Sequence, residues 1–199
     1  MSLYLRVRAA RAVALVAACV VLLLAWPGSS VDATPSPTGA TMMAGVFLAI
    51  AVPAVVGWAC ARGDGRLEGT GVRRLVAADL AFAVAACGLV AVSGASLHAI
   101  GLADAGLAAA RATLVYLGLA LLAVPFWGWR LAPVLPALFL LAVAVFGRGE
   151  DIEHPARWAF IAARGDDPLS WLLTTIVLVV GVAAYLVAPR RLDLSPPTE

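Results

Sequence analysis

The chain has 199 residues, 63% of them apolar and 13% charged, with a formal net charge of +2. An ordinary soluble domain carries roughly a quarter charged residues, and a globule of this size needs polar groups to cover its surface. The composition therefore excludes a soluble enzyme or a soluble binding module, and the small net charge gives no basis for nucleic-acid binding.

All 14 basic residues are Arg, and the chain contains no Lys, Asn or Gln. A helix rises ~1.5 Å per residue and needs about 20 apolar residues to cross a hydrocarbon core ~30 Å thick. Six apolar runs approach that length, at 9–27, 42–61, 75–95, 107–127, 131–147 and 168–188. The fifth is the shortest and carries Pro133 and Pro136, which predict a kink or tilt. Strands of a membrane barrel alternate apolar and polar residues, whereas the stretch Ile176-Val177-Leu178-Val179-Val180 has no polar face. The expected fold is a single all-α domain, a polytopic transmembrane bundle of about six helices.

Arg placement sets the expected orientation, because basic residues near helix ends stay cytoplasmic. With the N-terminus inside, ten Arg fall on cytoplasmic segments and four (Arg111, Arg148, Arg157 and Arg164) on outer ones. Five acidic residues lie inside and seven outside. The expected location is a cell membrane, with both termini cytoplasmic. The first run has a second reading. Arg6, Arg8 and Arg11, an apolar stretch to Trp26 and then Val31-Asp32-Ala33 also fit a cleavable secretory signal, which leaves five crossings.

The segment 28–41, rich in Pro, Ser and Thr, predicts an exposed loop. The few residues around Gly128, Trp129 and Arg130 predict a tight antiparallel hairpin between the fourth and fifth helices. After Pro155, Trp158, Phe160 and Ile161 between Arg157 and Arg164 predict a short helix in the outer interface. The six Trp residues fit interfacial belts.

Two charges fall inside apolar runs. Asp79, five residues beyond Arg74, lies near the cytoplasmic interface. It reads either as an acid paired with Arg73 or Arg74 or as a buried carboxylate in a transport path or helix contact. Arg111, near the outer end of the fourth helix, reads as a snorkelling cation or as the partner of Asp104. Glu150, Asp151, Glu153 and His154 have the chemistry for a divalent cation, but no second His follows at ligand spacing, and a solvated acidic loop is the expected reading. Ser93, Ser96 and His98 sit together without an acid in register, so no catalytic triad is expected. Cys19, Cys60 and Cys87 are isolated in apolar runs and read as packing residues. No Gly-rich phosphate loop is present, so the chain does not hydrolyse ATP by that device. No enzyme activity, cofactor or metal is expected.

The segment 62–74 between the second and third helices carries charges of both signs and the apolar Leu67 and Val72. It reads as a solvated connector or as a docking element for a soluble partner. Six crossings, this charged loop and a longer outer segment between the fifth and sixth helices resemble the permease subunits of type-2 ATP-binding-cassette exporters. Leu67-Glu68-Gly69-Thr70, Arg111-Ala112-Thr113 with Gly118-Leu119-Ala120-Leu121, Trp158-Ala159, and Gly181 with Tyr185 are also similar to patterns in six-helix membrane proteins of actinobacteria. The resemblance implies a homodimer in the lipid bilayer, working by alternating access with a separate soluble ATPase subunit. Leu67, Glu68, Arg73 and Arg74 are then the expected docking residues. A non-transporting membrane scaffold or accessory subunit is the other reading, because the apolar runs offer almost no polar groups to line a path.

Overall fold

The computed structural model describes residues 9–26, 31–33, 39–40, 42–62, 72–149 and 155–187. In chain order these form α1 (Ala10–Leu24), β1 (Asp32–Ala33), β2 (Met42–Met43), α2 (Ala44–Leu48), α3 (Ala51–Cys60), α4 (Val72–Ala99), α5 (Gly106–Leu131), α6 (Val134–Phe146), a 3-10 helix (Arg157–Ala162) and α7 (Pro168–Val187). The fold is all-α. Among the described residues the only strands are β1 and β2, which pair antiparallel with Asp32 opposite Met43 and Ala33 opposite Met42. This small ladder stands in a segment that composition alone reads as a loop.

Three helices are long and apolar enough to cross a membrane: α4 from Val76 to Ala99, α5, and α7. The other three of the six expected runs give shorter pieces. Helix α1 has 15 residues, α3 has 10 and α6 has 13. A 13-residue helix covers only about 20 Å. Among the described residues three helices thus have full crossing length, beside three shorter apolar ones. The second run is divided because Pro53 has no N–H to give the carbonyl of Ala49. The chain makes a turn at Ala49 and Ile50 and resumes at Ala51. Both chain ends lie outside the described residues.

Helix α5 is the centre of the bundle. Of its most apolar stretch 72% is buried, against 28% for α4 and 22% for α7. It packs against α4, α7, α3, α6, α2 and the 3-10 helix. Its buried face is built of small residues, with Ala109, Ala110, Ala112 and Gly118 giving neighbouring backbones room to approach. Tyr116 is buried in the same face and donates its hydroxyl to the carbonyl of Val46 at 3.2 Å, tying α2 to the centre. The outward faces are apolar too: Leu15, Leu22, Leu89, Val92, Leu172, Ile176 and Val179 are all exposed. A bundle that is oily on both its inner and outer surfaces belongs in lipid.

Glycines set the two closest helix contacts. A Cβ on Gly181 of α7 would lie 2.1 Å from the carbonyl oxygen of Gly118 on α5. A Cβ on Gly106, at the start of α5, would lie 2.2 Å from the carbonyl oxygen of Gly94 on α4. Helix α4 ends in a Schellman turn. Gly101 adopts a left-handed φ of 73°, and the N–H groups of Leu102 and Gly101 return to the carbonyls of Leu97 and His98. At the far end of α5, Gly128 (φ 71°) breaks the helical path before Trp129 and Arg130, and α6 follows after Pro133. The tight hairpin expected there takes this form.

Candidate functional site

The segment 155–167 is held against the bundle by an unusual use of Arg111. The side chain is completely buried, near the start of α5. Its Nη1 donates to the carbonyl of Arg164 at 2.6 Å, and its Nη2 donates to the carbonyls of Ala163 and, at 3.4 Å, Ile161. The 3-10 helix ends at Ala162, so Ile161 offers one of its last carbonyls and Ala163 and Arg164 offer those of the chain that leaves it. A cation at the negative end of a helix also meets a favourable dipole. The Nε of Arg111 is buried and has no hydrogen-bond partner among the described residues. Asp167 and Asp166 are the carboxylates near enough to attract the guanidinium.

This differs from both readings that the sequence supports for Arg111. The guanidinium does not reach the surface, and Asp104 is exposed at a distance in the loop before α5. Local helix geometry gave no sign of the true partners, which lie 50 to 53 residues further along the chain. Desolvating a guanidinium costs several kcal/mol, and charge-assisted hydrogen bonds return about 1.5–3 kcal/mol each. The two nearly cancel, so the chief effect of the latch is to fix where the outer segment sits.

Further contacts at its start, middle and end complete the strap. Arg148 forms an isolated bridge with Pro155, and the N–H of Ala156 donates to the carbonyl of Gly147 at 2.9 Å, which pins the start. The 3-10 helix buries Ala159 and Ile161, and Phe160 meets Phe139 of α6 with ring centroids 5.8 Å apart. The interfacial helix expected after Pro155 is thus a 3-10 helix that turns two apolar residues into the protein. At the other end, Asp167 caps α7. Its carboxylate accepts from the N–H of Ser170 at 3.0 Å and from the Ser170 hydroxyl, and Pro168 fills the first helical position. Trp171 donates its indole N–H to the carbonyl of Gly165 at 2.9 Å. It serves as a tether as well as an interfacial ring.

The Ser170 hydroxyl holds the Asp167 carboxyl below the usual carboxylate range. The backbone N–H groups of Ser170 and Leu169 and the charge of Arg111 add to this, against opposing desolvation. Because the folded state favours the ionised form, the cap stabilises fully above the unfolded carboxylate value. Its contribution is lost as pH falls from about 4 through the lower folded value. Asp167→Ala is expected to lower stability by about 1 kcal/mol at neutral pH. Thermal melts of the two proteins in detergent should converge as the pH is taken below about 4.

The other candidate residues are scattered. Asp79 is buried in α4, 20 residues and about 30 Å from the Ala99 end of that helix. Helix α5 runs back from that end, so Asp79 and Arg111 lie at opposite ends of the bundle. Arg73 and Arg74 fall in the first turn of α4. Leu67, Glu68 and the cluster Glu150, Asp151, Glu153 and His154 lie outside the described residues. Ser96 and His98 are exposed, and neither they nor Ser93 hydrogen-bond to one another. Cys60 and Cys87 are buried and Cys19 is exposed, and none of the three is in a disulfide. At the end of the bundle opposite the strap, Trp129 meets Tyr185 edge-on at 5.4 Å, and the Arg62 guanidinium lies 4.5 Å above the Trp58 ring.

A cavity of about 490 Å³ opens between the strap and the first turns of α7. Arg157, Arg164 and Asp166 contribute to its wall, as do Phe160, Leu169 and Leu173. The chain matches no protein-family model, no curated protein and no solved structure. Its own geometry defines an integral membrane helical bundle with residues 155–167 strapped against one end.

Proposed function

We propose that this chain is a permease-like membrane subunit of an ATP-driven exporter, working as a homodimer with a separate ATPase. The observation that supports this reading is the order of segments. Apolar helices are interrupted once by the charged stretch 62–74 and once by a strapped outer segment before the last helix. Leu67, Glu68, Arg73 and Arg74 are the residues assigned to the ATPase contact. In the bundle itself Arg111, Thr113, Ser170 and Thr174 are buried and hydrogen-bond within the chain. The centre is filled by α5, so a path runs along the outer face between two copies, and an apolar or lipid-like substrate suits it. Both termini and the 62–74 segment lie on the cytoplasmic side of a cell membrane in this scheme.

The same filled centre favours a second reading, a non-transporting scaffold or accessory subunit. Purification of the full chain from native membranes distinguishes the two. The exporter reading expects a nucleotide-hydrolysing subunit in fixed ratio, and Glu68→Arg should remove it along with ATP hydrolysis. A preparation without such a subunit, or one that keeps it and its activity in Glu68→Arg, contradicts the exporter reading and leaves the scaffold.

A further inference from the structure

The cavity between the strap and α7 combines charge at its rim with oil along its floor. Arg157 and Arg164 lie in its wall and are exposed, and their guanidinium groups have no hydrogen bond or ion pair among the described residues. The side chain of Asp166 is likewise exposed and makes no hydrogen bond among the described residues, and the Asp167 carboxylate accepts from Ser170. The wall thus carries two Arg and two Asp, and because the buried Arg111 guanidinium attracts both carboxylates, the balance around the cavity is positive by one. The floor descends along α7 from Leu169 to Leu173, about 6 Å deeper into the bundle, with Phe160 opposite. A small soluble anion would use the rim and leave the floor bare. A molecule with a phosphate head and an apolar tail uses both.

We propose that this cavity binds one anionic phospholipid of the surrounding leaflet. The phosphate lies between Arg157 and Arg164, and the first acyl carbons lie over Leu173 and Phe160. Guanidinium groups suit this role because their forked N–H donors match phosphate oxygens. Asp166, at the same rim, accepts from the hydroxyls of a glycerol headgroup. Arg111 is the positioning residue. By holding the backbone carbonyls of Ala163 and Arg164 it fixes the segment from which the Arg164 side chain projects. The site requires membrane placement only, and it stands whether or not the chain works with an ATPase.

The test uses the full chain purified in a mild detergent, with lipid binding read by native mass spectrometry and by titration with phosphatidylglycerol. One phosphatidylglycerol should stay bound per chain. The double variant Arg157→Gln/Arg164→Gln should weaken binding roughly thirty-fold. Arg62→Gln, at the opposite end, should leave it unchanged, and melting temperatures should show that both variants remain folded. Phosphatidylcholine should bind more weakly, and glycerol 1-phosphate should fail to compete. Equal binding by the double variant overturns the proposal. So does effective competition by glycerol 1-phosphate, which would make the cavity a site for a soluble phosphate. Loss of binding in Leu173→Asp with an unchanged melt supports the acyl position, and retained affinity there contradicts it.

Discussion

Gly181→Leu should prevent the bundle from closing. A Cβ at this position falls 2.1 Å from the carbonyl oxygen of Gly118 and 3.0 Å from its Cα. Those atoms are backbone of the central helix and cannot rotate away, so α7 must move off α5 along its length. Overpacking ordinarily costs about 1–3 kcal/mol, and more where nothing yields. Lipid offers apolar contact as good as a neighbouring helix, so packing lost here is not recovered by a hydrophobic drive. The expected result is a loss of monodispersity in size-exclusion chromatography and a large drop in the thermal midpoint in detergent. Gly118→Leu should do the same, since its Cβ would sit 2.9 Å from the Cα of Leu178. Gly88→Leu is the control, because a Cβ there meets nothing within 4 Å. Similar behaviour of Gly88→Leu and Gly181→Leu would contradict the crossing.

Arg111→Leu should release the outer strap while leaving the helices in place. The substitution removes the donors to the carbonyls of Ile161, Ala163 and Arg164. Only that of Arg164 keeps a backbone donor, the N–H of Asp167 at 3.2 Å. Leaving such groups unsatisfied costs about 1–3 kcal/mol each, less where water enters, so the local loss should be about 2–4 kcal/mol. It should appear as faster hydrogen exchange and protease cleavage within 157–167, with helical circular dichroism unchanged. Arg111→Lys should recover only part of the protection, because a single ammonium cannot reproduce the fork across three carbonyls. Arg130→Leu, on an exposed side chain at the other end of α5, should have no effect on the strap. Unaltered exchange in Arg111→Leu would show that the latch does not hold the segment.

Hydropathy alone located the helices because burial in lipid asks only for length and oiliness. Three of the six runs form helices shorter than the runs themselves, for physical reasons that single residues explain. Pro53 divides the second run, and Pro133 and the 13-residue α6 shorten the fifth. The Gly128 turn follows from its local chemistry. The cap at Asp167-Pro168 with Ser170 was readable as a helix start, although nothing in the run of charges singled it out. The partners of Arg111 were not readable, because backbone carbonyls leave no mark on a sequence and these lie at least 50 residues away. The cavity was hidden for the same reason. It exists only once the strap is folded back on α7, bringing Arg157 and Arg164 beside Leu173.

In the proposed topology apolar helices hold this chain across a bilayer, with the Arg-rich segment 62–74 on the cytoplasmic side and the strap on the other. Cysteine labelling tests it most directly. The three native cysteines are replaced by Ala, and Asp166→Cys and Gly65→Cys are introduced separately. A membrane-impermeant maleimide should label the Asp166→Cys protein in intact cells and the Gly65→Cys protein only after permeabilisation. The reverse pattern, or equal labelling of both in intact cells, would contradict it.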